Sequence, residues 1–215
     1  MKTSLGFSLI CLFAVVTSGA FAQNGQISTI FKKKGTGKIH GFVAASNKFT
    51  SVRGKYANMV ELYGGWYIKH RLLIGGGVAV MTNEMRVPEE HWTPGMWQMY
   101  YHYGQIGAMT EYVFASDRAV HVALQMFGGK GVTLQYEQGI TDYDDYWNNN
   151  PPYDDDQNWF TVLEPGVKVE VNIFRWMRFC PGLSYRITSG SAGRGMTDKN
   201  LSGSSLNLTL KFGKF

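Results

Sequence analysis

Six aspartates, Asp142, Asp144, Asp145, Asp154, Asp155 and Asp156, stand in the stretch TDYDDYWNNNPPYDDDQNWF among Tyr143, Tyr146, Trp147, Tyr153 and Trp159. Clustered carboxylates are hard oxygen ligands that suit calcium, and aromatics beside amides suit the faces of sugars. The stretch lacks the DxDxDG spacing of a calcium loop. Its plain reading is a solvated exterior loop, with the aspartates as weak metal candidates.

Acid–base and nucleophilic chemistry has less to work with. His40, His70, His91, His102 and His121 are scattered singly, without HxxxH spacing, and each reads as a turn, loop or lumen residue. His102 falls on an apolar parity where a lipid ester would reach it. A lipid-modifying enzyme would add a serine nucleophile and an orienting acid within hydrogen-bond reach. No serine shares that parity on Leu72–Met81 or Val120–Tyr136, and GxSxG is absent. GGG at 75–77 lies inside an apolar run, and SGSAGRG at 189–195 lacks the Gly-Lys-Ser/Thr of a phosphate cradle. Small lumen residues and a flexible loop explain both. The expectation is no catalytic residue and no cofactor.

The chain starts with an export pattern. Met1-Lys2 is followed by apolar Leu5–Val16 and by Ala20-Phe21-Ala22, a small-x-small cleavage site. This predicts a signal peptide at 1–22, an N-terminal linker at 23–36 and one domain at 37–215. Loss of Lys2 takes the formal charge from +5 to +4. Much of that charge sits in Lys32-Lys33-Lys34 and Lys38, a solvated linker and not the broad basic face that nucleic acid needs. Of two cysteines only Cys180 survives cleavage, so no intramolecular disulfide forms. The longest later apolar run, LLIGGGVAVM, is about half the ~20 residues of a spanning helix.

The elements that must position these residues alternate with period two, as a strand with unlike faces does. In EPGVKVEVNIF, Glu164, Gly166, Lys168, Glu170 and Asn172 share one side, and Pro165, Val167, Val169, Val171 and Ile173 the other. The pattern recurs in Tyr56–Ile68, Leu72–Met81, Tyr100–Phe114, Val120–Tyr136, Met177–Ile187 and Leu206–Gly213, with Ile39–Asn47 as a weaker eighth segment. Tight turns are expected at Lys69-His70, Ser116-Asp117 and Arg175-Trp176. Long loops are expected at Lys48–Lys55, Asn83–Gln98, Ile140–Asn158 and Gly190–Gly203. An even set of antiparallel strands joined this way is an up-and-down barrel, all-β and eight-stranded.

Two barrels alternate: a soluble ligand-binding one with an apolar inside, and a transmembrane one with an apolar outside. The non-apolar faces mix Glu61, Glu111, Glu164, Lys168, Glu170, Arg186 and Lys211 with many glycines. Glycine weakens a solvent-facing strand, whereas a narrow interior needs small residues beside long ones. Aromatics also gather in two groups. Trp66, Tyr67, Tyr112, Phe114, Phe174, Trp176 and Phe179 lie beside the tight turns. Trp92, Trp97, Tyr100, Tyr101, Tyr103, Tyr136 and Trp159 lie toward the long loops, as two membrane interfaces select. The seven charges are therefore expected in the lumen, in a structural role. If the turn centres on Phe174–Trp176, facing residue numbers sum to 350. Ile173 then faces Met177, and Glu164 faces Arg186, its expected partner.

On its export signal, alternating strands, unequal connections and terminal Phe215, the chain resembles the small eight-stranded outer-membrane barrels of Gram-negative bacteria, the OmpA-transmembrane, OmpX and OmpW type. The resemblance covers about 37–215 and rests on architecture. It implies an outer-membrane protein with both mature termini periplasmic and long loops extracellular. The expected role is structural or surface-interacting, with no catalysis and no wide pore. The alternatives are an outer-membrane lipid-modifying enzyme and a soluble secreted ligand-binding barrel. The partners implied are outer-membrane lipid and an envelope protein, with no nucleic acid.

Overall fold

The structure is a computed structural model and describes residues 40–68, 71–92, 98–116, 118–137 and 157–213. The signal peptide, the linker, Trp97 and the six loop aspartates Asp142, Asp144, Asp145, Asp154, Asp155 and Asp156 lie outside the described residues.

Eight long strands form the wall: β1 (His40–Val52), β2 (Lys55–Ile68), β3 (Leu72–Met81), β4 (Met99–Phe114), β5 (Val120–Glu137), β6 (Asn158–Phe174), β7 (Met177–Ser189) and β8 (Gly203–Gly213). Each pairs antiparallel with its chain neighbours, and β1 pairs with β8, which closes the sheet into a barrel. The register fixes its shape. Following paired residues once around, His40–Tyr67–Leu73–Glu111–Gln125–Gly166–Ser184–Ser205–Thr50, returns to β1 ten residues further on, since 50 − 40 = 10. A stagger of that size in eight strands tilts them by about 40° to the axis and leaves an interior that side chains fill.

Burial follows the alternation. On β6, Glu164, Lys168 and Glu170 are buried while Leu163, Val167, Val169 and Ile173 are exposed. Exposed aliphatics such as Val60, Leu62, Ile106, Leu124, Leu183 and Leu208 cover the outside of the other strands. No soluble barrel tolerates an apolar exterior of this extent. The wall therefore faces hydrocarbon, and the polar residues face inward: a transmembrane β-barrel.

Two expectations about connections are corrected. Lys48–Lys55 is not a long loop: β1 runs to Val52, which pairs with Lys55 across a two-residue turn. Arg53 and Gly54 both take positive φ there, 54° and 70°, the geometry that matches the twist of a hairpin. Gly54→Ala should therefore cost about 1 kcal/mol, seen as a lower urea midpoint for unfolding from lipid vesicles. An unchanged midpoint would rule out that turn. At the other end, Phe174 and not Ile173 pairs with Met177, because the register shifts between Asn172 and Phe174. Above that irregularity the sum of 350 holds through Asn172–Arg178, Lys168–Gly182 and Thr161–Ser189.

The segment between β7 and β8 is folded and not a loose loop. Ala192–Gly193 pairs with Met196–Thr197, and a helical turn follows at Asp198–Leu201. The Asp198 carboxylate accepts the Gly190 and Ser191 backbone N–H groups at 3.2 and 2.8 Å.

Candidate functional site

The interior holds five buried cations, Lys48, Lys168, Arg178, Lys211 and Arg186, four buried carboxylates, Glu61, Glu111, Glu164 and Glu170, and His121. Inward parity on β1, β2 and β4–β8 puts them there, and each buried charge needs a counter-charge or hydrogen-bond acceptors and donors in place of water. They sort into two clusters and one separate arginine.

The first cluster centres on Lys211, whose ammonium contacts both Glu111 and Glu170. Lys168 Nζ reaches Glu111 at 2.9 Å and donates to the Tyr63 hydroxyl at 2.7 Å. Arg178 Nη1 and His121 Nε2 meet the Glu170 carboxylate at 2.9 and 3.0 Å. Gly182 stands opposite Lys168 and gives it room: a methyl there would lie 2.7 Å from Lys168 Cγ.

The second cluster centres on Lys48, with Nζ 2.6 Å from Glu164 and 3.3 Å from Glu61. Ser184 Oγ donates to the same Glu164 oxygen at 2.6 Å, and Gln105 Nε2 reaches the other at 3.4 Å. This corrects the expected Glu164–Arg186 pair. Arg186 donates instead to the carbonyls of Leu201 and Ser51, at 2.6 and 3.1 Å, and lies over the Tyr103 ring. Its long side chain points toward the long-loop end, where β1 and the Asp198–Leu201 turn offer backbone acceptors. The sequence-based reading missed Lys48 because it assigned that residue to a loop. In the structure buried Ala44, Ser46 and Lys48 alternate with half-exposed Ala45, Asn47 and Phe49.

Apolar side chains fill the lumen around the charges. Met59, Met81, Met85, Met99, Met196 and Leu201, toward the long-loop end, belong to a buried cluster that also includes Tyr63, Tyr67, Leu73 and Met109. Arg53 ties this end together, donating to the Tyr101 hydroxyl at 3.2 Å and to the Gly195 carbonyl. Tyr101 in turn donates to the Arg194 carbonyl at 2.8 Å. The belt assignment of Tyr67, Tyr101 and Tyr103 is thereby corrected, since all three are buried on the inward parity. Trp66, Tyr112, Phe114, Phe174, Trp176 and Phe179 remain exposed near the short turns, and Trp159, Tyr56 and Tyr185 on the other half of the wall.

His102 points outward, its ring 5.2 Å from that of Tyr136. Its cross-strand neighbour on β5 is Leu134.

The fold recurs among solved structures. Neisserial surface protein A (NspA) aligns over 82% of this chain and 97% of its own at 12% identity, with a TM-score of 0.56. The N-terminal β-barrel domain of Pseudomonas aeruginosa OprF aligns over 83% and 99% at 7% identity, with a TM-score of 0.51. This chain has the fold of the small eight-stranded outer-membrane barrels. No family model and no curated protein matches its sequence.

Proposed function

We propose that the protein is an integral outer-membrane barrel of a Gram-negative bacterium, structural or surface-interacting in role, that neither conducts nor catalyses. The long loops face the medium, and both mature termini lie in the periplasm. One observation carries this reading: the lumen is filled along its length by buried ion pairs and by apolar side chains, methionines foremost toward the long-loop end. Chemical variety is left to the long-loop end. The aspartate- and aromatic-rich stretch 141–160 follows β5 in the chain and runs into the start of β6, and is the part of the chain suited to meeting an envelope or external partner.

Carbonate washing of membranes should leave the protein in the pellet, and protease added to intact cells should cut only in the long loops. In planar bilayers the purified barrel should show no stable open level of porin size. Release by carbonate would sink the membrane assignment. Cleavage between β2 and β3, β4 and β5 or β6 and β7 in intact cells would reverse the orientation, and a reproducible porin-sized conductance would refute the closed lumen.

A further inference from the structure

The outward face of β5 runs Val122, Leu124, Met126, then Lys130, then Val132 and Leu134. Lys130 is exposed, and its ammonium donates to Thr161 Oγ1 at 3.1 Å. Thr161 is paired in turn with Ser189 on β7, so one ammonium and two exposed residues bearing hydroxyls share a row across three strands. Trp159, the next outward residue of β6, is exposed and marks the headgroup boundary beside them. A charge on a barrel's lipid face is destabilising, most at the midplane and least near the interface. A neutral hydroxyl does not neutralise it.

Toward the midplane the same wall is hollow. Gly64, Gly76, Ala108 and Gly128 are paired in one row across β2 to β5 and all face outward. Beside Gly64 and Gly76, flanked by Leu62, Val78 and Ile106, lies an open groove of about 450 Å³. The row of small residues leads from this groove to the strand of Lys130.

We propose that this wall binds one phosphate-bearing lipid from the leaflet on the long-loop side. The phosphate meets Lys130 and the hydroxyls of Thr161 and Ser189, and an acyl chain lies along the trough of small residues. The site rests on the membrane reading above. Charge decides the occupant. A second copy docked symmetrically here would bring its own Lys130 against this one. Free phosphate would have to leave water for the hydrocarbon edge, whereas a lipid's chains deliver its phosphate there.

Wild type, Lys130→Met and Lys130→Arg, folded in detergent, would be titrated with dimyristoylphosphatidic acid and separately with dimyristoylglycerol, and bound lipid counted by native mass spectrometry. The wild type should retain one phosphatidic acid. Lys130→Met should weaken its binding about fivefold, read as a shift of the titration midpoint, the effect of losing one lysine near a lipid surface. Lys130→Arg should keep it, and dimyristoylglycerol should bind all three alike. Equal retention of phosphatidic acid by Lys130→Met, or its displacement by an equal concentration of inorganic phosphate, overturns the site. Lys130→Met removes a lipid-face charge and so does not threaten folding. Insertion of each variant into vesicles, read by the faster gel mobility of the folded barrel, separates the two readings. Failure of the wild type to insert overturns both the membrane assignment and the site. Insertion without a phosphate preference overturns the site alone.

Discussion

Lys48→Met should lower the stability of the barrel by about 3–5 kcal/mol, the largest effect expected of any single charge in the lumen. Its ammonium stands between Glu61 and Glu164, both buried. Removing it leaves two carboxylates in a space that water cannot enter freely, with Ser184 and Gln105 as the remaining donors to Glu164. The triple variant Lys48→Met, Glu61→Gln, Glu164→Gln should recover most of the loss, because no charge is then left without a partner. Urea unfolding from phospholipid vesicles measures both. Losses that simply add across the three positions would mean that the cluster does not act as a unit.

Gly129→Ala should be nearly as damaging, at about 3 kcal/mol, the upper end of overpacking costs, while its neighbour Gly128→Ala should stay within about 0.5 kcal/mol. The two differ only in which side of the wall they face. A methyl on Gly129 would stand 2.1 Å from the Ile106 carbonyl oxygen and 2.6 Å from Gly107 Cα, both backbone atoms that cannot swing aside. A methyl on Gly128 would meet only Leu163 Cδ1, at 3.9 Å, on the lipid side. Gly75, directly paired with Gly65, repeats the crowding, since a methyl there would lie 2.0 Å from the Gly64 oxygen. The inward glycines are thus places where neighbouring strands pass too closely for a side chain. Equal midpoints for the two alanine variants in the same unfolding assay would contradict this packing.

The wall was legible in the sequence because bilayer and lumen demand opposite residues at successive positions. EPGVKVEVNIF states that demand in eleven letters, and the pairing of β6 with β7 could be counted from it. β1 was harder to read. Ala44 and Ala45, then Ser46 and Asn47, give its two faces nearly the same chemistry, so its length, and with it Lys48, escaped. Its turn uses Arg53 at positive φ, which no turn preference announces.

Charge partners were less legible than the faces. The register set Glu164 across from Arg186 on adjacent strands, yet in a barrel this narrow a long side chain reaches over the lumen as easily as along the sheet. Lys48 arrives from β1, two strands beyond β7 around the wall, and takes Glu164, while Arg186 finds carbonyls. Strand parity decides which side of the wall a charge occupies; the three-dimensional filling of the lumen decides what it meets. Tyr67, Tyr101 and Tyr103 show the same limit, because aromatic enrichment near a strand end does not say which face the ring takes.

The central claim, a closed barrel with hydrocarbon outside and charge inside, is tested most directly by a spin-label accessibility scan along β6. Single labels at each position from Leu163 to Val171, in vesicles, would be read against oxygen, which concentrates in lipid, and a water-soluble nickel complex. Labels at 163, 165, 167, 169 and 171 should respond to oxygen, and those at 164, 166, 168 and 170 to neither reagent. Oxygen accessibility at the even positions, or nickel accessibility at the odd ones, would contradict the barrel described here.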